Sequence, residues 1–428
     1  MSIQPAEFPA ALPLARNPAR PEPARGPFYL DMDLARAGKY PRPARTWAAV
    51  TTVEGLMALE RDWRALEEES ARDTHFFQSW EWCSAWVKTC MRAPRQQLSI
   101  ITCRENGRLV LLWPLMVTRR GPLRILRWLS DPYSQYGDVL TTLSGAPLRE
   151  ALQEACDFLM HNVRADLVRL RHVRDDANIA DFLKHRFCKA GEDDGAPWLD
   201  LSRFADEAAY DRRYSKTQRH RRKRIRKALE KEAGELDFAL LEDEGRLSEA
   251  LDMALAEKRA WLAGKGFYSR PLANPALADL LKALPAGPQG ALVVSRMTAA
   301  EREVSWEIGF RYKGRHYGYI TAHDRSLTHR SPGRLHMDLS QRRALRDGMK
   351  AFDLLVPAAP HKRSWSSDVM PVSDYYRPLS AAGRIFGEGY LRIGRPLLRK
   401  AYQKTPAALR RALGLGRFGA DAQTREQV

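Results

Sequence analysis

Long apolar runs are missing from these 428 residues: the longest, Leu109 to Val117, is broken by Pro114 and falls well short of the roughly 20 residues a bilayer-crossing helix needs. No membrane span is expected. Cysteine is scarce, with five residues (Cys83, Cys90, Cys103, Cys156, Cys188) and no CxxC spacing, which argues against a disulfide framework or a structural zinc site. The ten histidines are scattered, and His316 and His323 have no third ligand near them in the sequence, so no metal is expected. The start, Met1-Ser2-Ile3-Gln4-Pro5, lacks a basic segment followed by an apolar core, which predicts a cytoplasmic chain. Also missing are GxxxxGK[ST], GxSxG, HExxH and a GxGxxG after a strand. Their absence argues against P-loop hydrolysis, serine hydrolysis, zinc proteolysis and Rossmann dinucleotide binding.

What is present is a globular composition, 44% hydrophobic and 29% charged, with length for two or three domains. The net charge of +18 is concentrated in two places. Asp211 to Lys231 holds eleven Lys/Arg against two acids, and Arg384 to Arg417 nine against one. The rest is nearly neutral, unlike a fold that binds nucleic acid over a whole face.

Residues 1–46 contain nine of the 26 prolines and no helical or strand period, which predicts a disordered tail. Helical spacing appears over Val53 to Ser70 and Ser79 to Thr89. Strands are predicted at Leu98 to Cys103 and Arg108 to Val117 about an Asn106-Gly107 turn, then at Leu123 to Leu129, a helix at Leu148 to Asn162 and a strand at Ala165 to Arg171. The second half repeats this grammar. Strands are predicted at Ala291 to Met297, Glu303 to Arg311 and Arg315 to Ala322, then a helix at Arg334 to Asp347 and a strand at Ala351 to Val356. The expected fold class is α/β (α+β), two tandem domains, each a mixed, mostly antiparallel sheet flanked by helices. The expected boundaries are 47–205 and 263–380, with a basic helical connector at 206–262 and a basic amphipathic extension at 381–428.

One stretch between a strand and a helix stands out, running from His323 through Asp324 to Leu335. Pro332 suits a helix start, Gly333 allows close approach of a ligand to the backbone, and Arg330 and Arg334 add charge to the partial positive charge of a helix N-terminus. This reads as a phosphate cradle formed by Arg330, Ser331, Gly333, Arg334 and Leu335; a surface helix capped by Ser331 would use the same residues.

That stretch, followed by Phe352-Asp353-Leu354-Leu355 and His361-Lys362-Arg363-Ser364-Trp365, resembles the CelD-like branch of the GNAT acetyltransferases, related to the FemABX peptidyltransferases. Phe76-Phe77-Gln78-Ser79-Trp80-Glu81-Trp82, Trp113-Pro114-Leu115 and Ser130-Asp131-Pro132-Tyr133 extend the likeness over about residues 50 to 380. Two departures stand against it: Leu335 occupies the place of the second glycine of the family's pyrophosphate loop, and Leu354 to Pro360 is apolar where relatives carry polar residues.

The resemblance implies two tandem GNAT-like domains and acyl transfer from acetyl-CoA or another acyl-CoA to an amine or hydroxyl, on a saccharide or lipid-linked acceptor of envelope polysaccharide synthesis. The alternatives are an aminoacyl-tRNA-dependent transferase and a non-catalytic binding module. Such transfer needs a base. Glu307 is the first candidate, because strand alternation sets it opposite Trp306, Ile308 and Phe310; Asp324 and His323 are the second. Tyr319, sharing a face with Tyr317, would donate a proton to the leaving thiolate, and Lys362 and Trp365 would contact acceptor or phosphate. Each also fits a plain core, cap or surface role. The basic run at 212–231 reads as an RNA-binding or solvated helix. In the extension, Ile385, Phe386, Tyr390, Leu391, Ile393, Leu397, Leu398 and Tyr402 interleave with Arg392, Arg395, Arg399 and Lys400, as a helix on an anionic membrane surface would require.

Overall fold

The structure, a computed structural model, describes residues 44–287, 290–300 and 302–405. The expected tail thus lies almost wholly outside the described residues, as do the extension beyond 405 and the side chains of Arg399, Lys400 and Tyr402. From Arg45 the chain pairs as a strand. The first half runs β1 (Arg45–Val50), α1 (Val53–Ala58), α2 (Glu60–Ser70), α3 (Trp80–Cys90), β2 (Gln96–Leu98), β3 (Ile100–Glu105), β4 (Arg108–Trp113), β5 (Leu115–Arg120), β6 (Leu123–Trp128), β7 (Leu140–Thr141), α4 (Gly145–Asn162), β8 (Leu167–Arg174), α5 (Ala180–Arg186), β9 (Cys188–Lys189) and β10 (Asp194–Asp200). The second runs α6 (Glu207–Arg212), α7 (Lys216–Ala233), β11 (Leu236–Leu240), α8 (Glu244–Gly264), α9 (Arg270–Ala273), α10 (Ala276–Lys282), β12 (Leu292–Ala299), β13 (Arg302–Tyr312), β14 (Arg315–His323), α11 (Pro332–Arg346), β15 (Ala351–Asp353), α12 (Pro360–Arg363), β16 (Asp368–Pro378) and α13 (Ala381–Arg384). A π-helical segment, Ile385–Gly394, then leads into α14 (Arg395–Lys404).

Both expected hairpin turns form, each with two consecutive residues at positive φ: Asn106 (51°) with Gly107 (81°), and Lys313 (44°) with Gly314 (81°). That backbone matches the twist of the strands it joins. The single strand expected over Arg108 to Val117 is instead two. Proline supplies no N–H to a ladder, and at Pro114 the chain leaves one sheet for another. β1, β3, β4 and β7 form a four-stranded sheet; the other strands form a twelve-stranded sheet in the order β11-β12-β13-β14-β15-β10-β16-β8-β6-β5-β2, with β9 beside β16.

The fold is mixed α/β with sheets flanked by helices, and the pairing within it is antiparallel except at two places, β6 with β8 and β14 with β15. These two places are equivalent. In each half a hairpin (β5–β6, β13–β14) is followed by a helix (α4, α11) and a strand parallel to the hairpin's second arm, the repeat expected from the sequence. The sheet also crosses from half to half, because β10 lies between β15 and β16, and β16 pairs with β8.

The core crosses too. Phe76, Phe77 and Trp82 of the first half pack with Phe310, Tyr317 and Tyr319 of the second, Phe76 stacking on Phe310 at 4.5 Å between ring centroids. The Trp82 indole donates to Ser130 Oγ (2.8 Å) and Ser134 Oγ (3.1 Å), holding the loop after β6 against this cluster.

Candidate functional site

The parallel pairing of β14 with β15 lasts only from Arg315 to Tyr317, opposite Ala351 to Asp353. Beyond it β14 continues to His323 along β13, while its other edge has no strand partner among the described residues. β15 ends early because Leu355 takes a positive φ (60°), a costly conformation for a bulky side chain. Asp353 holds that turn: its Oδ1 accepts from the Leu355 N–H (2.9 Å) and from the hydroxyl of Tyr136 (2.7 Å), a residue of the first half, and its Oδ2 accepts from Arg315 (3.2 Å). The expected strand over Ala351 to Val356 is cut short for this reason.

Where β14 and β15 part, a cavity of about 410 Å³ opens. Gly318, Tyr319, Thr321, Ala322 and His323 of β14 form one wall, and Glu257, Lys258 and Trp261 of α8 another. Ser331, Gly333, Arg334 and Met337 at the start of α11 form a third, and Leu354, His361, Lys362 and Trp365 close it. Of the sequence candidates it gathers Tyr319, His323, Ser331, Gly333, Arg334, Lys362 and Trp365.

Four candidates lie elsewhere. Glu307 does sit opposite Trp306, Ile308 and Phe310, but that face of β13 is covered by α11. Glu307 is 2% exposed and its Oε1 is 2.8 Å from His316 Nε2, so it does not reach the cavity wall. Asp324 caps the 3-10 turn Arg325–Arg330 by accepting from the Ser326 N–H (2.9 Å), and it is ion-paired with Arg302. Arg330 is paired with Glu232 at the end of α7. Leu335 packs with Leu229, Met297 and Val304. A glycine in its place would leave that cluster short of a side chain.

Ser331 does not cap α11. It adopts the left-handed conformation (φ 57°, ψ 48°), and its side chain accepts no hydrogen bond from the first helical N–H groups. Gly333 lies close to His323, since a Cβ added there would sit 3.7 Å from its Nδ1. Burial, aided by the charge of Lys258, pushes the His323 imidazole below its ordinary range; its Nε2 is 3.2 Å from Thr328 Oγ1. Burial lowers Lys258 to about 8, and burial with Lys258 as neighbour lowers Lys362 to about 7. Lys362 Nζ donates to the carbonyls of Leu355 (3.3 Å) and Val356 (3.2 Å), so the strained turn also fixes this amine. Burial raises Tyr319, whose hydroxyl donates to the Tyr133 carbonyl (3.0 Å).

Sequence reading placed a helix within the 206–262 connector but missed its part in the site: Lys258 and Trp261 lie one turn apart on α8, and only the fold brings them to the cavity. It also missed how α7 lies. Ser215 and Gln218 form a capping box at its start, and its first turns run beside α11. A smaller pocket of about 110 Å³ adjoins the cavity, sharing Arg334, Ser364 and Trp365 with it and adding Tyr214, Gln218, Arg221 and Arg222. Arg222 pairs with Asp338 and lies over the Trp365 ring at 4.5 Å. Burial and then the charges of Arg221 and Arg222 lower Arg334, so the pocket holds cations in excess of its single acid, Asp338. Among the described residues, no group of three His, Cys, Asp or Glu is placed to hold a metal ion.

Residues 215–363 match the family model described as an acetyltransferase (GNAT) domain, a span containing all the cavity's lining residues except Ser364 and Trp365. No curated protein matches the sequence. Similar solved structures include a conserved protein of unknown function from Bacteroides thetaiotaomicron (10% identity, 77% of this chain and 99% of that one, TM-score 0.49). FemX is another (10% identity, 79% and 98%, TM-score 0.48). A third is a tandem GNAT protein from the clavulanic acid biosynthesis pathway (11% identity, 79% and 99%, TM-score 0.40).

Proposed function

We propose that this cavity transfers an acyl group, acetyl in the simplest case, from an acyl-CoA to an amine or hydroxyl. The observation that carries the reading is the parting of β14 from β15 above an uncapped helix start, within the span that matches the GNAT domain. An open strand edge offers N–H and C=O groups to an extended amide-bearing chain, as in strand addition. The start of α11 with Arg334 offers a diphosphate its N–H groups and charge, and Arg221 and Arg222 lie within reach of a further phosphate.

The chain's own groups then divide the chemistry. His323, held neutral by burial, takes the proton of the attacking amine or hydroxyl. The new bond to the acyl carbon forms as the carbon–sulfur bond breaks, and the departing thiolate takes a proton from the Lys362 ammonium. Tyr319 keeps its proton and, bound to the Tyr133 carbonyl, serves as a wall. Glu307 is too deep for the base role and supports β13 under α11 instead. Lys362 and Trp365 flank the acceptor's entry. The acceptor we assign from the sequence resemblance is a saccharide or lipid-linked precursor, handled in the cytoplasm or at the inner membrane face.

One observation favours a second reading, an aminoacyl group delivered on tRNA: Lys216, Lys223, Arg224, Arg226 and Lys227 are exposed on α7, the helix whose Gln218, Arg221 and Arg222 line the smaller pocket. Thermal-shift titration separates the two. Acetyl-CoA at a hundred times its Kd adds about 2.7 kcal/mol to a protein that binds it only when folded, enough to raise Tm measurably. No stabilisation at millimolar acetyl-CoA, together with tight tRNA binding that weakens steeply with salt, rejects acyl-CoA as donor in favour of tRNA.

A further inference from the structure

From α13 onward the chain shows two opposite stripes. One is buried: Gly383, Gly387, Leu391 and Arg395, each four residues from the last. A Cβ at Gly383 would meet the Asp166 carbonyl oxygen at 1.7 Å and one at Gly387 the Tyr376 ring at 2.7 Å, so this face seats directly on the protein. Leu391 is fully buried, and Arg395 reaches Asp374 at 3.4 Å. The other stripe, displaced by two residues or about half a turn, is apolar and faces solvent: Ile385 is 76% exposed, Ile393 58%, Leu397 62% and Leu398 60%. These four are the most exposed large hydrophobic residues among those described. A helix so firmly docked has no reason of packing to present isoleucine and leucine outward.

Charge identifies what covers them. Arg384 and Arg392 are exposed alongside the stripe, and Glu388, the single acid between Arg384 and Arg417, is paired with Arg392 at 3.0 Å. The Arg120 guanidinium lies over Phe386 (5.6 Å) and Tyr390 (5.5 Å) on its flank. An apolar stripe bordered by cations is complementary to a surface that is oily inside and anionic outside. A second copy of the chain would bring like charge against like. No described helix is long and apolar enough to cross a membrane, so contact of this one with a bilayer means lying along its surface. We infer that the face formed by Ile385, Ile393, Leu397 and Leu398, with Arg384 and Arg392, docks the protein on an anionic phospholipid bilayer. This rests on the exposed face alone and does not depend on the acyl donor.

The test is co-sedimentation of the full chain with vesicles of phosphatidylcholine alone, or of two parts phosphatidylcholine to one part phosphatidylglycerol, without acyl-CoA. The chain is expected to pellet with the anionic vesicles only. The Ile393→Asp/Leu397→Asp variant should partition at least about tenfold less at unchanged Tm, since it withdraws two side chains from the acyl boundary. Arg384→Gln/Arg392→Gln, which adds no charge to the helix, should weaken binding and flatten its salt dependence. The inference is overturned if the chain ignores anionic vesicles, if both variants bind as the parent does, or if sedimentation equilibrium shows a dimer that the aspartate variant dissolves.

Discussion

Arg334 has a formal charge, a place at the mouth of the cavity and two arginines for neighbours, so an anion is the partner its surroundings call for. A hydrogen bond to a charged group contributes about 1.5–3 kcal/mol. Arg334→Ala is therefore expected to raise the KM for acyl-CoA roughly ten- to a hundredfold with kcat little changed. His323→Gln should do the reverse, lowering kcat by roughly a hundredfold or more. Steady-state kinetics check both; equal losses in kcat and KM for either would reject its role. Because burial favours the neutral imidazole, the acid limb of kcat/KM should fall below the ordinary histidine range. At this scale the sequence was half legible. Strand alternation set Glu307 on the correct face of β13, but alternation says nothing of what covers that face, and here it is α11. The cavity residues beside Pro332 (Ser331, Gly333 and Arg334) were visible because helix starts have local signatures, whereas Lys258 enters the cavity from a helix more than sixty residues earlier.

α11 carries its own pH sensor. His336, on its buried face, is 2.8 Å from Ser295 Oγ through Nε2 and 2.7 Å from Ser305 Oγ through Nδ1, tying the helix to β12 and β13. Burial lowers its pKa from 6.5 to about 4, with Glu307 opposing. The unfolded chain thus binds more protons than the folded one between those values, so stability is full above pH 6.5 and falls as pH drops toward 4. The loss amounts to about 3 kcal/mol. Urea midpoints across that window should show the slope in the parent and a flatter one in His336→Asn; an unchanged slope would assign it to other groups. Elements were legible where their signals are local. The two hairpins, α4, α7, α8 and α11 follow from turn residues and periodicity. β10 and β16 went unpredicted because Asp194 to Asp200 and Asp368 to Pro378 carry a glycine, prolines and charges, and become strands through partners distant in the sequence, each other among them.

The two halves share one sheet and one aromatic core, so neither is complete alone. Chains 1–205 and 206–428 made separately should each fail to give a soluble, cooperatively unfolding protein. The first keeps β10 without β15 or β16, and the second loses both β10 and β8 from its sheet. A sharp urea transition in either fragment would contradict this. The duplication could be read from the order of elements, but the crossing of strands between halves could not, since pairing over such separations leaves no mark in local sequence. That crossing also sets a timetable. β8 presents an edge of buried residues as soon as it leaves the ribosome, yet its partner β16 follows roughly 200 residues later. At ordinary rates of synthesis the nascent chain waits on the order of 10–40 s with that edge unpaired. By the order of its strands alone, the first half thus carries an aggregation-prone edge through that interval.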